Sequence, residues 1–563
     1  YYLRLDKSKI KNQKSKIWSF VFIFSLVSSF FAGHLQIFFY LFIFAVAYFF
    51  ARWFQHGRIF KILFVFLIFN ILFLILTSIQ WIPALQFILL SARNVDRVGL
   101  NDPGWFVPWQ HLVQFVAPDF FGNPTTLNYW GVWNYAEFVG YVGIFPLIMA
   151  FFALFFRRDK KTFFYGIIFF LSLIFVLPTF FAKIPFILDI PFLSTSQPTR
   201  LVFITDFSLS VLAAFGFDYF LRSKRKEIFY PIIFIALIFF LLWAFVLFEN
   251  LAVAKNNLIL PTILFAVSAV LLFSLKLLSK PRLSTIMIYI IIVIITFDLV
   301  RFGWKFTPFS PKEYLFPNTK AIEFLQKNLG HNRFMTTDSR IFPPNFSVIY
   351  KLQSVDGYDP LYLRRYGELI AASQRGKPRI DPPFGFNRII TPHNFESKII
   401  DLLGVKYVLS LLDLKSAKLK KVFQEGQTRV YENKNVAPRA FFVDKIVYAK
   451  DKNEVISAMF DKDFDARKMA VVEVVENSRG VLSDPPLRWT KGEAEIIAYT
   501  ENKVVINTKN EGEGFLVLTD TFYPTWRAKI DGKDSKIFIT NYNFRGIIVP
   551  AGIHRIEFYS SLF

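Results

Sequence analysis

The chain has 563 residues, 54% of them hydrophobic, with a net charge of +23 and no cysteine. Without cysteine there are no disulfides, no thiolate nucleophile and no cysteine-based zinc site. The positive charge does not point to nucleic acid, because much of it lies in short loops between long apolar runs, where membrane orientation accounts for it.

Those apolar runs crowd residues 17–302, whereas 303–563 carry charges throughout, as a soluble domain does. A membrane-crossing helix needs about 20 mostly apolar residues at ~1.5 Å each. Nine stretches meet this, at 17–33, 36–52, 60–82, 138–156, 162–182, 201–221, 228–248, 258–275 and 283–302. The first two are joined by the tight turn Gly33-His34-Leu35-Gln36, which leaves a re-entrant pair as an alternative. Twenty Lys and Arg residues fall in one set of loops and five in the alternate set. That asymmetry predicts a cytoplasmic N-terminus, and nine crossings then put 303–563 outside. Two outer loops follow, 83–137 and 183–200. The first carries Trp105, Trp109, Trp130 and Trp133, which suit short helices lying at the headgroup layer. The 73 phenylalanines read as a compositional bias rather than a binding stripe. Both ends read as cut, since the chain opens on Tyr1 without an initiator Met and closes on Phe563 straight after a strand-like segment.

The soluble part divides at about residue 436. In 303–435, an extracytoplasmic α/β region, Thr319–Leu329 is amphipathic, with Ile322, Leu325 and Leu329 on one face. Lys398–Leu403 reads as a helix stopped by Gly404 and followed by the strand Val405–Leu409. From 436 to 563, short strands at 504–508, 515–519, 527–530, 536–540, 546–549 and 554–558 succeed one another, with Asp531-Gly532 as a hairpin turn. Close spacing of this kind predicts a β-sandwich. The expected architecture is thus a polytopic α-helical membrane domain of about nine helices over 1–302, an α+β region, and a C-terminal β-sandwich.

Several segments, in order, resemble the bacterial YfhO-like membrane proteins: Gly33-His34-Leu35-Gln36, Ala117-Pro118-Asp119-Phe120-Phe121-Gly122, Glu137–Leu147 (EFVGYVGIFPL), and Gln197-Pro198-Thr199-Arg200. They continue with Asp356-Gly357-Tyr358-Asp359, Leu402–Leu409, Val430–Phe442 and the closing stretch Leu516–Glu557. Leu35 stands where the family pattern has proline. That family is similar to the GT-C glycosyltransferases. The resemblance implies an enzyme of the plasma membrane that takes a sugar from a polyprenyl-phosphate carrier, on the outer face, to a cell-envelope polymer or glycan such as a teichoic acid. Such enzymes keep a catalytic aspartate in their first outer loop. Because the N-terminus here reads as cytoplasmic, the resemblance implies an even number of helices, four by the family pattern, ahead of Tyr1, and that base with them. It also implies a final membrane helix after the β-domain.

Transfer of this kind needs a base for an acceptor hydroxyl, donors for the departing lipid phosphate, and a groove for the prenyl chain. Arg200, at the outer start of the helix at 201–221, suits the phosphate, though an arginine reaching ordinary headgroups is the plainer account. His34 and Gln36 lie at the same membrane edge, and Arg93 and Arg97 also suit phosphate guidance. Asp119 and Glu137 are the loop carboxylates that qualify as base or acceptor-orienting groups, and as holders of a divalent cation, the one cofactor considered. Asp356 and Tyr358 are candidates for lining an acceptor cleft. Asp206 falls inside the apolar layer, where a bare charge costs at least ~2.5–3.5 kcal/mol. Asp298 and Arg301, three apart on one helix, suggest a local ion pair. Asp463-Phe464-Asp465 has the spacing of a nucleotide-sugar metal site but stands in a charged run. No metal site is called, and no phosphate-binding loop, nucleophile elbow or paired-histidine zinc motif occurs. The competing readings are a flippase for lipid-linked glycans, which would line its helices with polar groups at mid-depth, and a non-catalytic glycan-binding surface protein, for which Trp526 would be a platform.

Overall fold

A computed structural model describes residues 13–55, 57, 59–96, 103–222, 227–277, 281–306, 309–386, 388–474 and 490–561. Arg97 and the basic N-terminal residues Arg4 to Lys11 lie outside them. The chain forms two compact units, one of residues 1–79 and 99–309, the other of 80–98 and 310–563.

The first unit is helical: α1 Gln13–Phe31, α2 Leu35–Gln55, α3 Phe60–Leu90, the short α4 Tyr135–Phe138, α5 Ile144–Phe156, α6 Lys160–Val176, α7 Phe180–Ile187, α8 Val202–Arg222, α9 Phe229–Phe248, α10 Ala252–Leu277 and α11 Pro281–Trp304. Each of the nine apolar runs contains a helix. Among the described residues six helices are long and apolar enough to cross a membrane, and seven if α6 and α7, bent by 66°, form one span. Residues 17–31 and 144–156 are apolar but shorter.

The division between units falls within α3. The outer loop expected from residue 83 begins only after Leu90, because Pro83 is accommodated inside the helix. An apolar surrounding strongly favours keeping backbone groups paired, so a proline that would end a soluble helix is tolerated here.

The core of the bundle is α5, buried on nearly every side from Ile144 to Ala153. Its neighbour α8 comes so close that a Cβ at Gly216 would stand 1.9 Å from the Met149 carbonyl oxygen, so only glycine fits. The buried N-terminus of α5 is satisfied from α11. Asp298 accepts the Ile144 amide at 3.4 Å and both of its oxygens take the Tyr141 hydroxyl, at 2.8 and 2.9 Å. A carboxylate at a helix N-terminus meets unpaired amides and the positive end of the dipole. That outweighs the local pairing expected with Arg301, and no Asp298–Arg301 ion pair forms.

In the second unit, β1 Arg333–Thr336 lies parallel to β4 Val405–Ser410, and β5 Leu419–Glu425 and β6 Thr428–Asn433 complete a sheet in the order β1-β4-β6-β5; β2 Gly357–Tyr358 and β3 Ile389–Ile390 form a two-stranded ribbon. Helices α12 Lys320–Asn328, α13 Arg364–Arg375 and α14 Lys398–Leu402 accompany them. Gly404 ends α14 in the left-handed conformation at φ 74°, as its position predicted. Then come β7 Ala440–Val443, β8 Lys445–Ala449, helix α15 Lys452–Met459, β9 Met469–Glu473, β10 Gly492–Tyr499, β11 Lys503–Asn510, β12 Gly514–Leu518, β13 Trp526–Ile530, β14 Lys533–Ser535, β15 Phe538–Thr540, β16 Phe544–Val549 and β17 Gly552–Ser560. They make a five-stranded sheet, β10-β11-β17-β13-β14, and a six-stranded sheet, β7-β12-β16-β15-β9-β8. Alternate side chains of both, among them Phe442, Ile506, Leu516, Ile547 and Phe558, bury into one core. Asp531 and Gly532, both at positive φ, turn β13 into β14.

Candidate functional site

Gly33, at φ 94°, reverses the chain between α1 and α2. His34 then caps α2, its Nδ1 accepting the Ile37 amide at 3.4 Å. Nδ1 as acceptor leaves the proton on Nε2, which stands at an exposed position with no partner among the described residues. Partial desolvation, and then the Arg200 charge, hold the His34 pKa below its usual value, which favours this neutral form.

Pro198 opens a 3-10 turn, Pro198–Leu201, that leads into α8 and fixes Arg200 beside the same edge. Arg200 Nη1 donates to Gln36 Oε1 at 2.6 Å, and Nη2 lies 3.5 Å from Glu137 Oε1. The other Glu137 oxygen accepts the Thr199 hydroxyl at 2.7 Å. Gln36 Nε2 in turn donates to the Gln197 carbonyl at 2.6 Å and to Tyr40 at 3.1 Å. Three predicted segments far apart in the sequence therefore converge: the 33–36 turn, Glu137, and 197–200. The Arg200 and Glu137 side chains are each about one-fifth exposed. A guanidinium offers five N–H donors, so Arg200 keeps donors for a further anion.

A groove of about 360 Å³ adjoins this cluster. Its walls are almost wholly apolar and come from α2 (Tyr40, Phe44), α6 (Phe175), α7 (Phe186), and Pro198 and Leu201. Sequence reading called for a groove but assigned no residue to it, although Pro198 belongs to a segment it singled out. The others sit in uniformly apolar helices whose periodicity does not single out one face. Tyr40, one turn after Gln36 on α2, was the available signal.

Asp119 is differently placed. It is 5% exposed, and its oxygens accept the Tyr135 hydroxyl at 2.7 Å, Asn123 Nδ2 at 2.9 Å and Lys305 Nζ at 2.5 Å. Its backbone carbonyl accepts Asn257 Nδ2 at 2.7 Å. A carboxylate so fully engaged pins the 117–123 loop to α10 and to the end of α11. In the same loop, His111 is buried, bonded to Gln114 Oε1 at 2.6 Å and to the Val132 amide at 3.3 Å. Asp206 lies six residues beyond Arg200 on α8. Its Oδ1 is buried without a partner among the described residues, and a Cβ at Gly140 would lie 2.9 Å from it.

The remaining candidates belong to the second unit. Arg93 lies in the 3-10 turn Ala92–Asn94, whose neighbour Asp96 accepts the Tyr362 hydroxyl at 2.6 Å. Asp356 turns inward: Oδ2 accepts the Thr336 amide, the Thr336 hydroxyl and Ser354, each at 3.2 Å, while Oδ1 is buried without a partner. Tyr358, 47% exposed, faces outward, so these two side chains do not share a cleft wall. The Asp463 amide donates to Asp461 Oδ1, and Asp465 caps a local turn through the Arg467 amide. Among the described residues no three His, Asp or Glu side chains gather as a metal ion would require.

A family described as "Bacterial membrane protein YfhO" matches residues 8–458. No curated protein and no solved structure matches the chain.

Proposed function

The chain belongs to the YfhO family of bacterial membrane proteins, and from that premise we propose that it is a multi-pass plasma-membrane glycosyltransferase that moves a sugar from a polyprenyl-phosphate carrier to a cell-envelope polymer or glycan on the outer face. The observation that carries this reading is the pairing of a hydrogen-bond-donor cluster around Arg200 with an apolar groove. Arg200, oriented by Gln36, and the Nε2–H of His34 offer donors to a phosphate, and the groove from Tyr40 to Phe186 offers an apolar bed for the first prenyl units. A polyprenyl phosphate has this combination of charged head and apolar tail.

In the proposed reaction the acceptor oxygen attacks the anomeric carbon. The bond from that carbon to the phosphate oxygen breaks, and the polyprenyl phosphate leaves with the electron pair. Arg200 holds the charge that develops on that oxygen. Of the two carboxylates expected to take the hydroxyl proton, Glu137 is the better placed, because it stands beside Arg200 and keeps partial exposure, whereas Asp119 is enclosed by three donors. The second unit, with its β-sandwich, is assigned to the outer face on the loop charges, where Tyr358 is available to an acceptor.

The test is transfer of radiolabelled sugar from polyprenyl phosphate to an envelope extract, by the chain in liposomes. Arg200→Ala is expected to lose at least about tenfold in rate, the scale of one charge-assisted contact to a leaving phosphate. Unchanged transfer in that variant would remove the site. Absence of transfer with every donor, together with label crossing the bilayer, would favour the flippase.

A further inference from the structure

A second groove, of about 660 Å³, lies along α6 toward its opposite end, between that helix and the end of α5. One wall is apolar. Phe163, Ile167, Phe170 and Leu171 project at helical spacing and are 70%, 41%, 54% and 46% exposed. The mouth is cationic, formed by Arg157, Arg158 and Lys160. These three are not equivalent. Arg157 is consumed by the fold, with Nε on Asp159 at 2.5 Å, Nη1 on the Phe215 carbonyl at 2.9 Å, and the guanidinium 4.4 Å above the Phe215 ring. Asp159 is consumed as well, since it caps α6 through the Lys161 and Thr162 amides. Arg158 and Lys160 are exposed, and neither side chain has a hydrogen-bond or ion-pair partner among the described residues. The loop therefore spends its one carboxylate internally and presents two free cations above an apolar channel.

We propose that this groove binds an anionic phospholipid, its phosphate between Arg158 and Lys160 and one acyl chain along Phe163, Ile167 and Phe170. A zwitterionic headgroup would bring its own cation against these two, and a free phosphate would leave the apolar wall bare, so charge and shape together select an anionic lipid. The site does not depend on the glycosyl-transfer reading. The groove beside Arg200 shares Leu171 with it but opens toward Ser172 and Phe175, further along the same helix, and toward Pro198. Loop charge that served orientation alone would not require the cavity beneath it.

The experiment is native mass spectrometry of the full chain in mild detergent, dosed with phosphatidylglycerol or phosphatidylcholine, with thermal unfolding in parallel. The wild type is expected to retain phosphatidylglycerol about tenfold more strongly and to be stabilised by it selectively. Arg158→Gln with Lys160→Gln should abolish the preference while leaving unfolding in the absence of lipid unchanged. Ile167→Trp, which fills the channel and keeps both cations, should weaken retention as well, and it decides the matter if the double variant does not fold. Equal retention of the two lipids by the wild type, or full preference surviving both variants, would overturn the proposal. A response to inorganic phosphate as large as that to the lipid would also overturn it.

Discussion

Arg200 and Asp119 illustrate how a charged residue in a loop acquires its work from its partners. Arg200 is held by a neutral amide and one carboxylate at 3.5 Å, a loose arrangement that leaves donors open. Asp119 is closed in by Lys305, Tyr135 and Asn123. Asp119→Ala is therefore expected to cost about 3 kcal/mol of stability, since it strands the Lys305 charge, and to lower the thermal midpoint in detergent. Glu137→Gln should leave that midpoint nearly unchanged and lower transfer. Asp356 makes a third case. Burial pushes its carboxyl up to about 7, against the pull of Ser354 and Thr336. A carboxyl raised in the folded state stabilises fully below its unfolded value of about 4, and the stability is lost as pH rises through 7. Thermal midpoints measured from pH 4 to 8 should fall over this window in the wild type and flatten in Asp356→Asn. The sequence pointed to the Asp356-Gly357-Tyr358-Asp359 segment, where strand alternation would put Asp356 and Tyr358, two apart, on one face, yet only Asp356 turns inward. Contact with Thr336 at the end of β1 decides it.

At the scale of elements, helices and strands were legible wherever periodicity was strong. Apolar runs of membrane length located the nine helical stretches, and the six strands expected between 504 and 558 fell within two residues of their places, whereas β7 to β10 and β14 were not anticipated. What was not legible has physical reasons. The end of α3 was set too early because proline at 83 is read as a breaker, a rule that weakens once the surroundings exclude water. The Asp298–Arg301 pair was inferred from spacing on one helix, whereas the demand comes from another, the uncapped start of α5. The groove beside Arg200 is built from four separate segments, so no one of them carries its signature. Close packing supplies a direct check on the bundle. Gly216→Val forces at least a methyl group against the Met149 carbonyl, an overpacking expected to cost about 3 kcal/mol or more. Loss of monodisperse protein on size-exclusion chromatography, with Gly303→Val unaffected, would fit this, since a Cβ at Gly303 meets nothing within 4 Å.

For the molecule as a whole, the two units obey different rules. The helical unit leaves many phenylalanines and leucines exposed, which suits lipid as solvent. The second unit secures its parts with buried charge. Asp520, from the end of β12, accepts from Arg439, beside β7, and lies 3.1 Å from Arg333 on β1, so one carboxylate joins the four-stranded sheet to the sandwich. Burial works against this charge, but Arg439, Arg333 and Arg545 outweigh it and hold the carboxyl below its usual range. Asp520→Asn leaves three arginines without their common counter-ion and is expected to destabilise the second unit by ~3–5 kcal/mol. Hydrogen exchange should accelerate in β1, β7 and β12 while α5 and α8 stay protected.

The central claim is that a polyprenyl phosphate seats its head at Arg200 and its tail in the adjoining groove. Photo-crosslinking with a polyprenyl phosphate carrying a diazirine on its first isoprene units, followed by peptide mapping, tests this most directly. Adducts should concentrate on α2, α6 and α8 around Phe44, Phe175 and Leu201, and should fall several-fold in Arg200→Ala, as loss of a charge-assisted contact requires. Label spread evenly over the lipid-facing helices, at the same level in wild type and variant, would contradict it.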